Sequence, residues 1–160
     1  MDGEPEPPYI LAMDSTIPSA DEMIEVAGVT FRHGDLDQIV SSFYGKVAGD
    51  DLLKDPFRSV HDWPEHIKRL THFWWTRFGG PPYLLAQYAP VPKHYFAGFS
   101  EPLLKRWLEL FNETLEEHAQ PEQKALWSSV VDRMGQAFLV KNQMFHEYLE
   151  KNKPGGSSES

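Results

Sequence analysis

The residues best able to do chemistry in this chain are seven histidines, His33, His61, His66, His72, His94, His118 and His146. Their spacing excludes the common metalloenzyme patterns. A zinc protease needs His-Glu-x-x-His on one helix, but His146-Glu147 is followed by Tyr148, Leu149 and Glu150, so the second ligand is missing. A di-iron bundle needs two Glu-x-x-His pairs on facing helices, and the chain has none. There is no cysteine, which removes disulfide frameworks, iron–sulfur clusters, thiolate-bound zinc and cysteine nucleophiles. Neither a Gly-rich phosphate loop nor a serine in a nucleophile elbow occurs, so nucleotide chemistry and acyl transfer recede. What remains is a pair, His66 and His94, each set in aromatic sequence.

The elements that must position these residues read as helices. Ile39, Val40, Phe43, Tyr44 and Val47 recur at steps of three and four, which predicts a helix over 35–48. Ile67, Leu70, Trp74 and Phe78 do the same over 63–78, with Asp62 and Pro64 as its start. Ser100 is a good N-cap with Glu101 in the first turn, and the stripe behind it is Leu103, Trp107, Leu110, Phe111 and Thr114. A last helix opens near Pro121 and carries Trp127, Val131, Met134, Phe138, Phe145 and Leu149 inward. It should run about 28 residues, or ~42 Å. No segment shows the period of two that marks a half-buried strand. The expected fold class is all-α.

Residues 79–99 break the pattern. Three glycines and four prolines exclude a long regular helix there. Yet the stretch holds Tyr83, Leu84, Leu85, Tyr88, Val91, His94, Tyr95, Phe96 and Phe99. It is too apolar for a solvated loop and points to a greasy surface beneath it, such as a bound cofactor. Flanking the helices, 1–19 is Pro-rich and 153–160 is Gly/Ser-rich. Both are expected to be tails around a single domain at 20–152.

Bulk properties narrow the function. The 160 residues carry a formal charge of −9, which argues against a nucleic-acid binder. No apolar run reaches the ~20 residues that span a bilayer. The acidic, Pro-rich start lacks the features of a signal peptide. The expectation is a cytoplasmic protein with no membrane and no nucleic-acid partner, a monomer or weak dimer.

Taken in order, these residues resemble a known family, the truncated haemoglobins, and most closely their third group. The resemblance is carried by Phe43-Tyr44-x-Lys46-Val47, Asp55-Pro56-Phe57, Trp63-x-x-His66, Phe73-Trp74, Pro92-Lys93-His94 and Arg106-Trp107-Leu108-x-Leu110-Phe111-x-x-Thr114. It covers roughly 30–150. The Gly79-Gly80-Pro81 turn is closer to the second group, and the stretch before His94 is a residue or two longer than the third-group pattern.

The resemblance implies a two-over-two helical sandwich holding haem b. His94 would be the proximal iron ligand, as a neutral imidazole. Tyr44 and Trp107 would donate hydrogen bonds to a diatomic ligand on the distal face, the indole being a donor only. His66 would face the sixth coordination site, gating entry, donating a hydrogen bond or binding the iron itself. Phe57 would pack on the porphyrin edge, Phe43 would back Tyr44, and Leu70 and Trp74 would line the pocket. Lys68, Arg69, Arg77 and Lys93 are the cations near enough in sequence to meet the haem propionates.

Two functions compete on this reading. One is a haem globin that binds or transports dioxygen, or binds NO or CO, with nitric-oxide oxidation or peroxide chemistry sustained by a separate reductase. The other is a cofactor-free helical interaction module with a globin-like core. Metal binding by His66 and His94 without porphyrin is a distant third.

Overall fold

The structure, a computed structural model, describes residues 17–58, 60, 62–84 and 100–152. The remainder of both expected tails, and Tyr88, Val91, Lys93, His94, Tyr95, Phe96 and Phe99, lie outside the described residues.

Four helices dominate. We label them α1 (His33–Gly49), α2 (Trp63–Arg77), α3 (Glu101–His118) and α4 (Pro121–Lys151). Each starts at a residue that can satisfy orphan backbone donors. The Asp62 carboxylate accepts the Glu65 N–H at 3.1 Å, with Pro64 in the first turn. The Ser100 hydroxyl oxygen accepts the Leu103 N–H at 3.5 Å. At α1 the Asp35 carboxylate reaches back to the Arg32 N–H at 3.0 Å. α1 packs on both α2 and α3, and α3 packs on α4.

Ahead of α1 the chain makes a short hairpin that the sequence reading did not anticipate. β1 (Met23–Val26) pairs antiparallel with β2 (Val29–Arg32), Ile24 opposite Phe31. The two-residue turn puts Ala27 at φ 52° and Gly28 at φ 80°, the left-handed geometry that suits the twist of a tight hairpin. Ile24 and Val26 turn inward while Met23 and Glu25 face out. The alternation is real but only two rungs long, too brief to register beside helices of 15 to 31 residues.

The core is aromatic. Phe31 stacks on Phe78 with centroids 4.8 Å apart and planes at 3°, and both meet the edge of Trp127. Trp74 and Phe111 close the same group from α2 and α3. All five predicted residues of the α1 face are buried.

Two details of the predicted faces differ. On α3, Leu104 is buried and its neighbour Leu103 only half-buried. On α4, Phe145 and Leu149 are 58% and 46% exposed rather than inward. The cause is helix length. Gly135 of α4 lies against Leu104, and α3 begins only three residues before Leu104. α4 is 31 residues long, about 46 Å, so its last turns run past the end of α3 with their periodic apolar face uncovered.

Candidate functional site

Three helices and one turn deliver polar and aromatic rings to a single cluster. α1 supplies Phe43 and Tyr44, adjacent residues whose rings meet edge to face at 4.6 Å. The turn after α1 supplies Phe57, whose ring lies 5.9 Å from that of Tyr44. This turn is fixed by Asp50, whose carboxylate accepts the N–H groups of Leu52 and Leu53, each at 3.1 Å. Arg106 of α3 pairs with the same carboxylate at 2.8 Å and holds it below the usual carboxylate range. α2 supplies Trp63 and His66. The imidazole of His66 stands perpendicular to the Tyr44 ring, 5.6 Å away, and 5.4 Å from Trp63. α3 supplies Trp107, edge-on to Phe43 at 4.9 Å and stacked on Phe111.

Burial sets the chemistry of this cluster. Tyr44 and Trp107 are 4% and 5% exposed. Desolvation, helped by the nearby Arg69 guanidinium, lowers the pKa of His66 to about 4. At neutral pH the ring is therefore an uncharged imidazole, the form that binds metals. A phenol, a neutral imidazole and an indole N–H thus share one apolar, ring-walled region.

Of the sequence-predicted residues, Phe43, Tyr44, Phe57, His66 and Trp107 come together here. Leu70 is buried one turn further along α2. Trp74 lies against Phe78, Phe111 and Trp127 and joins the cluster through Phe111, on which Trp107 stacks. His94 and Lys93 lie outside the described residues. Among the candidate cations, Arg69 pairs with Glu65 at 3.3 Å, and Arg77 is exposed at the end of α2. Lys68 lines a cleft of about 340 Å³ together with His33, Asp37, Thr71 and Tyr83. Among the described residues no group of three or more His, Cys, Asp or Glu side chains could hold a metal ion.

That cleft borders a polar cluster the sequence reading missed. The Nε2 of His33 and the hydroxyl of Tyr83 share a hydrogen bond of 2.6 Å. The Nε2 of His72 accepts the N–H of Tyr83 at 3.1 Å and of Leu84 at 3.3 Å. Both histidines are buried, and burial lowers both pKa values. His72 pairs with backbone rather than with another side chain, so no motif announces it.

Comparison with known proteins bears on this arrangement. A model of a bacterial-like globin family matches residues 32–139. Among solved structures, the chain is similar to the crystal structure of a group III truncated hemoglobin from Campylobacter jejuni. The TM-score is 0.61 at 22% identity, over 69% of this chain and 91% of that one. No curated protein matches. Among the described residues no helix is long and apolar enough to cross a membrane.

Proposed function

The chain belongs to the bacterial-like globin family, and from that premise we propose that it is a cytoplasmic haem-b globin taking dioxygen, NO or CO. The observation that carries this reading is the gathering of Tyr44 and Trp107 on Phe43, with His66 set against Tyr44, in one aromatic cluster. Membership of a globin family implies haem binding, and the side chains present suit it. A porphyrin needs flat apolar walls, and Phe57, Trp63 and Leu70 offer them. It also needs a neutral imidazole for iron, which burial makes of His66 and which the resemblance assigns to His94 on the proximal side.

When bound, haem supplies the iron to which a diatomic gas attaches. The protein's share is to hold donors and exclude water. Tyr44 presents an O–H from α1 and Trp107 an N–H from α3. Donors held in a dry pocket act on a partly negative ligand far more strongly than they would in water. Phe43 fixes the spacing between them, since both rings rest on it. His66 stands beside Tyr44 on α2 and, with haem bound, would gate ligand entry or offer its imidazole to the iron. Two retaining donors suit oxidation of nitric oxide or activation of peroxide better than rapid release, and either reaction would draw electrons from a separate reductase.

The test is an absorption spectrum of the purified protein, with haemin added to one equivalent, in ferric, dithionite-reduced and carbon-monoxide forms. A stoichiometric Soret band that shifts with carbon monoxide supports the globin reading, and its loss in His94→Ala assigns the proximal ligand. No Soret band would leave the cofactor-free helical module as the function.

A further inference from the structure

The chain between α2 and residue 85 is held by a set of contacts that no general requirement of the fold explains. After α2, Gly79 turns at φ +101°, a conformation that favours glycine. Gly80 then lies flat against the Trp75 indole, where a Cβ would come within 2.4 Å of ring atoms. The Trp75 indole N–H donates to the Pro81 carbonyl at 3.0 Å. Two residues on, the amides of Tyr83 and Leu84 both donate to His72 Nε2. The chain therefore doubles back along α2, with residue 80 beside Trp75 and residue 83 beside His72.

His72 is the innermost anchor. It is 3% exposed, and its ring meets the Tyr83 ring edge-on at 4.6 Å. Because Nε2 accepts two N–H groups, the neutral ring carries its proton on Nδ1. A buried amide without an acceptor costs ~1–3 kcal/mol, so an imidazole that serves two amides at once dictates where the backbone sits. The far side of Tyr83 is fixed in turn by the 2.6 Å bond to His33 at the start of α1. α1, α2 and the returning chain are thus locked together through three side chains.

We propose that His72 is a positioning residue: by accepting the amides of Tyr83 and Leu84, it fixes the point from which the chain departs toward His94. This rests on the haem-globin reading for its functional consequence, because the assigned proximal ligand follows Leu84 by ten residues. The latch itself stands on the contacts above, and its carrier is the acceptor atom, not the imidazole's volume or charge.

The experiment compares wild type, His72→Leu, His72→Gln and Tyr83→Phe. Two readouts are used: amide hydrogen exchange at Tyr83 and Leu84 without haem, and the rate of haem transfer from the ferric protein to an excess of an apo-globin scavenger. His72→Leu should speed exchange at those amides, and haem loss, by about tenfold or more. Exchange within α3 should stay unchanged. His72→Gln places a side-chain oxygen near the position of Nε2 and should return both rates to within about threefold of wild type. Tyr83→Phe deletes only the hydroxyl and should raise haem loss by about threefold, keeping the proposal testable if His72→Leu does not fold. Wild-type rates in both His72→Leu and Tyr83→Phe would overturn the latch. So would a His72→Gln variant as fast as His72→Leu. A wild type that takes up no haemin while the exchange pattern holds would instead overturn the globin reading and leave the latch standing.

Discussion

The imidazole of His66 meets the phenol ring of Tyr44 at 88°, with centroids 5.6 Å apart. The two rings come from different helices, so this contact ties α1 to α2 within the aromatic cluster. Tyr44→Phe keeps every ring contact and removes one hydroxyl. Stability should change by less than ~1.5 kcal/mol. Dioxygen dissociation from the reduced haem protein should accelerate about tenfold or more in stopped-flow displacement by carbon monoxide. An unaltered rate would take Tyr44 out of the ligand network.

His66 lends itself to a spectroscopic test. Its ring is neutral at pH 7 because burial outweighs protonation, and a neutral imidazole is a competent iron ligand. If His66 binds the iron, the ferric protein should show a six-coordinate low-spin spectrum that His66→Ala converts to high spin. If the variant keeps the wild-type spectrum and only ligand entry speeds up, His66 is a gate and not a ligand.

Acid should destabilise the fold before the carboxylates titrate. His33, His66 and His72 are all lowered from the ordinary value of 6.5, mainly by burial. Asp37 and Glu22 pull His33 back up in part, while Arg69 pushes His66 and His33 pushes His72 further down. In the unfolded chain these rings take up protons near pH 6.5, while the folded protein resists until lower pH. The unfolded state then binds more protons, so stability falls as pH drops from about 6.5 toward 4. Urea melts between pH 7.5 and 4.5 should show this slope, and His66→Phe should make it shallower. An identical slope in that variant would remove His66 as a source.

Two glycines should respond oppositely to alanine. At Gly80 the new methyl would collide with the Trp75 indole, and overpacking of this kind costs ~1–3 kcal/mol. At Gly45, on an exposed part of α1 with nothing within 4 Å of the new atom, alanine should stabilise by ~0.5–1 kcal/mol. Equilibrium unfolding of both variants measures the difference directly, and equal effects would contradict the close approach at Trp75.

The helices and much of the aromatic cluster were legible because helical burial repeats every three to four residues. Val40, Phe43, Tyr44 and Val47 announce their shared face, and Asp62 and Ser100 announce their caps. The hairpin was not, since each strand has four residues and its turn reads simply as Ala27-Gly28. His72 was invisible for another reason. Its partners are backbone amides 11 and 12 residues away, and a backbone donor has no side-chain signature. On α4 the periodicity continues past Phe138 although the surface it would cover stops with α3, because a sequence records a helix's face and not the length of its neighbour.

Phe31 carries a consequence for where this protein begins as a physical object. The family match starts at residue 32, one residue after a side chain that is wholly buried between Phe78 and Trp127. A fragment trimmed to the matched region would leave a ring-sized hole against α4, and would strip Gln123 of the Thr30 carbonyl its amide reaches at 2.9 Å. The hairpin is therefore a stopper seated in the helical body from outside. Leaving it out should cost the helical body ~3–5 kcal/mol, the range for losing a buried aromatic ring.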